Sequence, residues 1–163
     1  MFILLFCFEL NMAKKVMDKK MLEVLKGSTK FKTDVSLVIF RFEPDFLVKF
    51  FQNMAKEIDR GRVVEISQGT SAIVLLCEES LANELSKKYP KQLILHRKEM
   101  VAFTIMFPKK ATETPGIMAF ITNMFAKNKI NIYEMISCYT DVTFVLGKKD
   151  LFKAMDLLGE FVI

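Results

Sequence analysis

The sequence predicts an α+β fold in which two βαββαβ units follow one another along the chain. Runs of β-branched and aromatic residues alternate with stretches whose apolar residues recur every three or four positions, and this order of elements occurs twice. The 163 residues are 52% hydrophobic and 26% charged. A chain of this length and composition can bury two small cores, each against an antiparallel sheet.

The first unit begins with a run rich in β-branched and aromatic side chains, TDVSLVIFRF. A helix with one apolar face follows, and then a hairpin, a second helix and a short strand complete the order. The predicted elements are a strand over 33–42, a helix over 47–58, strands over 62–68 and 71–79, a helix from Ser80 to Pro90 and a strand over 92–96.

The second unit repeats this order, and sliding the chain on itself places residues 67–71 over 137–141. Internal duplication is the simplest explanation. A fourth strand is missing, because only Val162 and Ile163 follow the last predicted helix. A partner chain or the apolar N-terminal segment is therefore expected to cover the exposed edge. The predicted elements are a strand over 101–107, a helix over 115–125, strands over 131–139 and 142–146 and a helix over 151–161.

These patterns divide the chain into an N-terminal segment over 1–30, a first unit over 31–98 and a second unit over 99–163. The first eight residues, MFILLFCF, are apolar. However, a membrane span needs roughly 20 such residues, and a signal peptide begins with basic ones. Three explanations stay open: an edge strand, an oligomer contact, or a true start at Met12. A short amphipathic helix is predicted over 14–26.

Charge and cysteine content restrict the class of protein. Much of the positive charge behind the formal net charge of +5 comes in short lysine pairs, which are typical of a solvated surface rather than a nucleic-acid interface. The three cysteines, Cys7, Cys77 and Cys138, include no C-x-x-C pair. An odd number without such a pair argues against a disulfide framework or a zinc site and indicates a reducing, cytoplasmic location.

A family resemblance is carried by one stretch, ETPGIMAFITNMFAKNKINIYEMISCYTDVTFVLGKKDLFKAMDLL. This stretch resembles the ACT domains at the C-terminus of aspartate kinases, and the whole chain is similar to archaeal tandem ACT proteins without an attached enzyme. The resemblance implies a ferredoxin-like fold with the helices on one face of the sheet. It also implies a homo-oligomer through ACT units that binds a small effector, often an amino acid. Any regulated enzyme is expected to be a separate chain.

The candidate effector site begins with Thr114, Pro115 and Gly116. Thr114 suits a helix N-cap and Pro115 the first helical position, so helix initiation alone explains both. Gly116 is not needed for that purpose, because glycine inside a helix costs up to about 1 kcal/mol relative to alanine. Packing is one explanation. In ACT domains this glycine lets a ligand carboxylate approach the free amides at the helix start.

Asn131, Ile132 and Ser137 complete the predicted site, together with Ile117. Asparagine at a strand start commonly serves the preceding turn. The resemblance instead implies that Asn131 and the backbone of Ile132 hold the polar end of an amino acid. Ser137 offers a hydroxyl on the same strand or satisfies its own backbone. Ile117, Ile132 and Met135 are candidates to line a neutral pocket.

The first copy departs from this pattern at both positions. Asp45 follows Pro44 where the second copy has Gly116, and Gly61-Arg62 replaces Asn131-Ile132. A carboxylate ligand would meet like charge at Asp45. We therefore expect the first unit to be structural.

Catalytic, metal and cofactor sites are not predicted. The single histidine, His96, is interpreted as a surface or capping residue, and phosphate-binding and zinc-protease motifs are absent from the sequence. Two alternatives to effector binding remain. One is a ligand-free interaction module. The other is an RNA-binding domain of the same βαββαβ order, although SAIVLLCE and DVTFVLGK lack its glycine-aromatic strand pattern.

Overall fold

The computed structural model describes residues 28–41 and 43–159, which form one six-stranded antiparallel sheet with packed helices. The predicted helix over 14–26, the apolar residues 1–8 and Met12 lie outside the described residues. The strands are β1 Ser28–Arg41, β2 Val63–Gln68, β3 Ala72–Glu78, β4 Leu93–Met106, β5 Ile132–Cys138 and β6 Asp141–Gly147. The helices are α1 Pro44–Asp59, α2 Glu79–Lys88, α3 Lys109–Thr112, α4 Ile117–Lys127 and α5 Leu151–Gly159, the last preceded by a 3-10 turn, Lys148–Asp150.

The strand order is β2-β3-β1-β4-β6-β5, which confirms the predicted α+β class and antiparallel pairing. The sheet is continuous across the boundary that was predicted between the two units. Strand β4 joins the two strands predicted over 92–96 and 101–107 and runs through the predicted boundary at residues 98 and 99. Its first part pairs with β1 only, whereas its second part pairs with β1 on one side and β6 on the other.

The position of the missing fourth strand is occupied by the start of β1. Residues 28–32 pair with β4 from Met106 to Ala102, and β6 pairs with the opposite side of the same segment. Strand β4 therefore has no free edge there, and among the described strands the edges of the sheet are β2 and β5. The partner chain or apolar N-terminal segment that was expected here is replaced by residues 28–32, which begin at the end of the N-terminal segment over 1–30.

Two irregularities bend the sheet where its halves join. The pairing of β1 with β4 gains one residue on β1 between Lys32 and Val35, and one residue on β4 before Met100. Asp34 and Glu99 lie within these intervals and have φ angles of 59° and 55°. Positive φ angles are uncommon for residues other than glycine, and bulges of this kind increase the local twist.

Three clusters of buried side chains form the core. Phe40 and Leu75 belong to the cluster between the first-half strands and helices α1 and α2. Phe103 and Phe125 belong to the cluster between β4, β6, α4 and α5. The third cluster contains strand residues only, such as Leu37. Because side chains alternate between the faces of a strand, the described helices all pack on one face of the sheet.

Candidate functional site

A cavity of about 390 Å³ lies at the start of α4. It is bounded by the loop after β4, the first residues of α4, and the hairpin turn between β5 and β6. Its volume falls within the range of small-molecule sites, roughly 300 to 1,000 Å³. The lining residues are Phe107, Ala111, Thr114, Gly116, Ile117, Met118, Ala119, Ser137, Tyr139 and Val142.

The start of α4 differs from the sequence prediction. The helix begins at Ile117, and Gly116, with φ 91°, occupies the N-cap position. Thr114 is therefore not the N-cap and Pro115 is not the first helical residue. This left-handed conformation explains why glycine occurs at position 116, because any residue with a Cβ is strained in it. Glycine also leaves the helix start without a side-chain cap.

Thr114 is tied to the preceding short helix instead. Its Oγ1 donates to the carbonyl oxygen of Lys110 at 3.0 Å, and its backbone N–H donates to the carbonyl oxygen of Ala111 at 3.0 Å. These bonds close the turn after α3 and hold the Thr114 side chain at the cavity. Pro115 is exposed and lies next to the lining residues Thr114 and Gly116.

The opposite wall comes from the end of the β5–β6 hairpin. Cys138 pairs with Asp141, so Tyr139 and Thr140 form the turn. The Thr140 carbonyl oxygen accepts a hydrogen bond of 2.9 Å from the N–H of Phe107, which fixes the turn against the end of β4. Tyr139 has φ 54° and is 72% exposed. Sequence analysis missed this residue, although the internal repeat aligns it with a glycine, Gly69, in the other hairpin.

Four of the seven predicted site residues line this cavity: Thr114, Gly116, Ile117 and Ser137. Asn131 and Ile132 do not. Ile132 begins β5 and Ser137 is near its end, so the two are roughly 17 Å apart along a strand that rises about 3.3 Å per residue. Asn131 is exposed, and Ile132 packs against the second-half core.

The cavity combines a neutral lining with an open helix terminus. The ten lining residues include no charged side chain, and the polar side chains are Thr114, Ser137 and Tyr139. The first amides of a helix lack partners within it and carry a partial positive charge. Because Gly116 provides no side-chain acceptor, these amides are suited to a carboxylate or another small anionic group.

In the described part of the chain, no group of three or more His, Cys, Asp and Glu side chains could hold a metal ion. Over the same residues, no helix is long and apolar enough to cross a membrane.

Residues 95–160 match the ACT domain family. The match includes β4 from Leu95, the cavity, the β5–β6 hairpin and α5, and it confirms the resemblance that the motifs from Thr114 onward indicated. The predicted hairpin within the matched residues is confirmed as β5 and β6, with ends shifted by one residue or less. No curated protein sequence matches the chain significantly.

Solved structures with a similar fold include a regulatory subunit of an aspartate kinase and a complete aspartate kinase. The regulatory subunit of aspartate kinase from Thermus thermophilus, in its ligand-free form, superposes with a TM-score of 0.65 at 18% identity, over 85% of this chain and 97% of that one. Aspartate kinase from Clostridium acetobutylicum gives a TM-score of 0.66 at 16% identity, over 82% of this chain and 34% of that one. At such identities the likeness shows a shared fold.

Proposed function

We propose that this chain is a non-catalytic regulatory protein that binds a small effector, an amino acid or a close analogue, in the cavity at the start of α4. The observation that carries the proposal is the uncapped helix terminus at Gly116 beside a neutral cavity of about 390 Å³. A carboxylate at the helix amides, with Ser137 or Tyr139 near the ammonium group, would leave the effector side chain among apolar residues. The absence of charge from the lining favours an effector with a neutral side chain.

The relatives support this class of ligand. One structural neighbour, aspartokinase III from E. coli, is a complex with lysine and aspartate, and its TM-score is 0.63 at 13% identity over 84% of this chain. That protein therefore binds amino acids. For the present chain, the amino-acid class is part of the proposal.

The arrangement of the sheet is consistent with two βαββαβ units that share their long strands. In the first, α1 and α2 pack against β1 from Val35, β2, β3 and the start of β4. In the second, β4 from Met100, β5, β6 and residues 28–32 occupy the corresponding positions. We propose that the first unit is structural and that the second, the ACT domain, binds the effector.

A second copy of the chain would bring Asn131 and Ile132 into use. Both lie at the end of β5 away from the cavity, and β5 is an edge of the sheet with one side unpaired. We propose a homo-oligomer in which this edge approaches another subunit, and a regulated enzyme on a separate chain. Exposed apolar side chains on and after the edge strand, Met135 at 45% and Tyr139 at 72%, support such a contact.

Thermal unfolding against a panel of the twenty amino acids tests the proposal. A ligand at 100 times its dissociation constant should add roughly 2.7 kcal/mol to the free energy of unfolding. The informative variant is Ala119→Phe, because Ala119 is exposed and lines the cavity, so a ring there would fill it. Ala126→Phe is the matched control, since Ala126 is exposed on the same helix and outside the lining.

We expect a neutral amino acid to stabilise the wild type and the Ala126→Phe variant, and to lose most of its effect in Ala119→Phe. An equal shift in both variants would place the ligand elsewhere. If no amino acid stabilises the wild type, the exposed residues Met135 and Tyr139 favour the alternative function, a ligand-free interaction module.

A further inference from the structure

A second cavity, of about 400 Å³, lies at the junction of the two halves of the sheet and is separate from the effector cavity. Three chain segments converge on it: the bulged part of β4, Tyr133 of β5, and the turn after β6. Four of its side chains are cationic and one is a carboxylate. The lining residues are Arg97, Lys98, Glu99, Met100, Tyr133, Gly147, Lys148 and Lys149.

The guanidinium of Arg97 stacks on the ring of Tyr133. The guanidinium carbon lies 4.3 Å from the centre of the Tyr133 ring, and no ion pair joins Arg97 to an acidic side chain among the described residues. Stacking on an aromatic face fixes the plane of a guanidinium and leaves its edge N–H groups available. An arginine stacked in this way can bind a planar or tetrahedral anion by donating two parallel hydrogen bonds to it.

The remaining cations are unpaired or weakly paired. Lys149 is exposed and forms no ion pair within the described part of the chain. Lys98 pairs with Glu79 at 2.9 Å, and Lys148 pairs with Asp34 at 2.5 Å. The lysine side chains of these pairs are 49% and 51% exposed, so water and a competing anion can reach their ammonium groups. Exposed pairs of this kind contribute little stability and exchange partners readily.

The backbone gives an independent indication. Glu99 lines the cavity with φ 55°, and Asp34, the partner of Lys148, has φ 59°. Each lies at a bulge in the pairing of β1 with β4. Strained residues and bulges concentrate at binding sites, because the surrounding structure maintains them for the geometry that they create.

We propose that this cavity binds a small polyanion bearing phosphate groups, with Arg97 and Lys149 as its principal contacts and with Lys98 and Lys148 as secondary ones. The site has a different charge from the effector cavity, where no lining side chain is charged. The protein would then bind a second class of ligand at the junction of its two halves.

Isothermal titration of the full chain with inorganic pyrophosphate, at constant ionic strength and without magnesium, tests the proposal. We expect saturable binding of one pyrophosphate per chain. Arg97→Gln and Lys149→Gln should each weaken binding by about tenfold, the effect of losing one charge-assisted contact. Lys91→Gln is the matched control, because Lys91 is exposed and lies outside both cavities. The substitution removes the same charge. The variant should bind as the wild type does.

Two further variants separate this site from the effector cavity and from misfolding. Ala119→Phe should leave pyrophosphate binding unchanged, since Ala119 lines only the other cavity. Arg97→Lys keeps the charge and loses the planar fork, so an intermediate affinity is expected. The proposal is overturned if pyrophosphate does not saturate, or if Arg97→Gln and Lys149→Gln bind no more weakly than Lys91→Gln.

Discussion

The two halves of the sheet connect their first strand to the following helix in different ways. In the first half, β1 ends at Arg41 and α1 begins at Pro44. In the second half, residues 107–116 lead from β4 to α4 and include the short helix α3. The longer connection leaves a cavity in front of α4. The helix that follows the longer connection is the one with a cavity at its start.

Aromatic packing reinforces this difference. Around the start of α1, the rings of Phe40, Phe46, Phe50 and Tyr89 contact one another, with centroid distances from 5.0 to 6.2 Å. Around the start of α4, the lining is mostly smaller and aliphatic, with alanine at positions 111 and 119. The first half fills with rings the space that the second half leaves empty. This contrast supports a structural first half and a binding second half.

Removing a ring from the first half should have the largest effect. Phe50 is fully buried and contacts Phe40 at 5.3 Å between centroids. Phe50→Ala should lower the free energy of unfolding by about 3 to 5 kcal/mol, measured by urea denaturation. Because β1 and β4 belong to both halves, we expect one cooperative transition for the whole sheet.

Val48→Ala is the control for that measurement, since Val48 lies on the same helix and is 60% exposed. It should change stability by less than about 0.5 kcal/mol. Two separate transitions in Phe50→Ala, with the second half still folded, would show that the shared strands do not couple the halves.

A smaller effect is expected from Gly116→Ala in the second half. The φ of 91° at Gly116 is left-handed, and such a conformation costs a residue with a Cβ roughly 1 to 2 kcal/mol. Urea denaturation measures the loss. Gly69→Ala is the matched substitution in the first half, where the backbone is not left-handed and the nearest atom to an added Cβ is the Ala72 carbonyl oxygen at 3.6 Å. Equal losses at both glycines would remove conformational strain as the reason for Gly116.

The sequence predicted the local elements of this fold better than their long-range connections. Both hairpins follow from alternating apolar residues and turn residues, and β2, β3, β5 and β6 lie where the patterns placed them. The continuous strand β4 was not predicted, because the charged residues 97–99 resemble a loop. Glu99 adopts a bulge there and the strand continues. The pairing of residues 28–32 with β4 joins segments too distant for any local pattern to reveal.

The candidate site shows the same division. Thr114, Gly116 and Ile117 are neighbours in sequence, so a motif was sufficient to group them. Ser137, which was predicted as a hydroxyl on the strand that carries the resemblance, joins them through the hairpin. Asn131 was grouped with them by resemblance alone, and a single chain separates it from the cavity by the length of β5.

The smallest expected effect concerns pH and again distinguishes the halves. His96 is the single histidine, and the structure places it within β4 against α2 rather than at a strand end. Its Nδ1 lies 3.0 Å from the Ser86 Oγ, and its Nε2 is buried without a hydrogen-bond partner among the residues that the structure describes. Burial lowers the pKa of His96, the nearby Lys98 lowers it further, and Glu79 partly opposes them.

The sign of the pH dependence follows from that direction. In the unfolded chain the histidine pKa is about 6.5, so on acidification the unfolded state takes up its proton first. The free energy of unfolding should therefore fall as the pH decreases from about 6.5 toward the lower pKa of the folded state, with a slope of at most about 1.4 kcal/mol per pH unit. Urea denaturation between pH 7.5 and 5.5 measures this slope, and His96→Gln should flatten it. Because the effector cavity contains no titratable group in this range, amino-acid affinity should stay constant over the same interval. An affinity that declines in parallel with stability would mean that the first half controls the site in the second, and the division into a structural and a binding half would then be too simple.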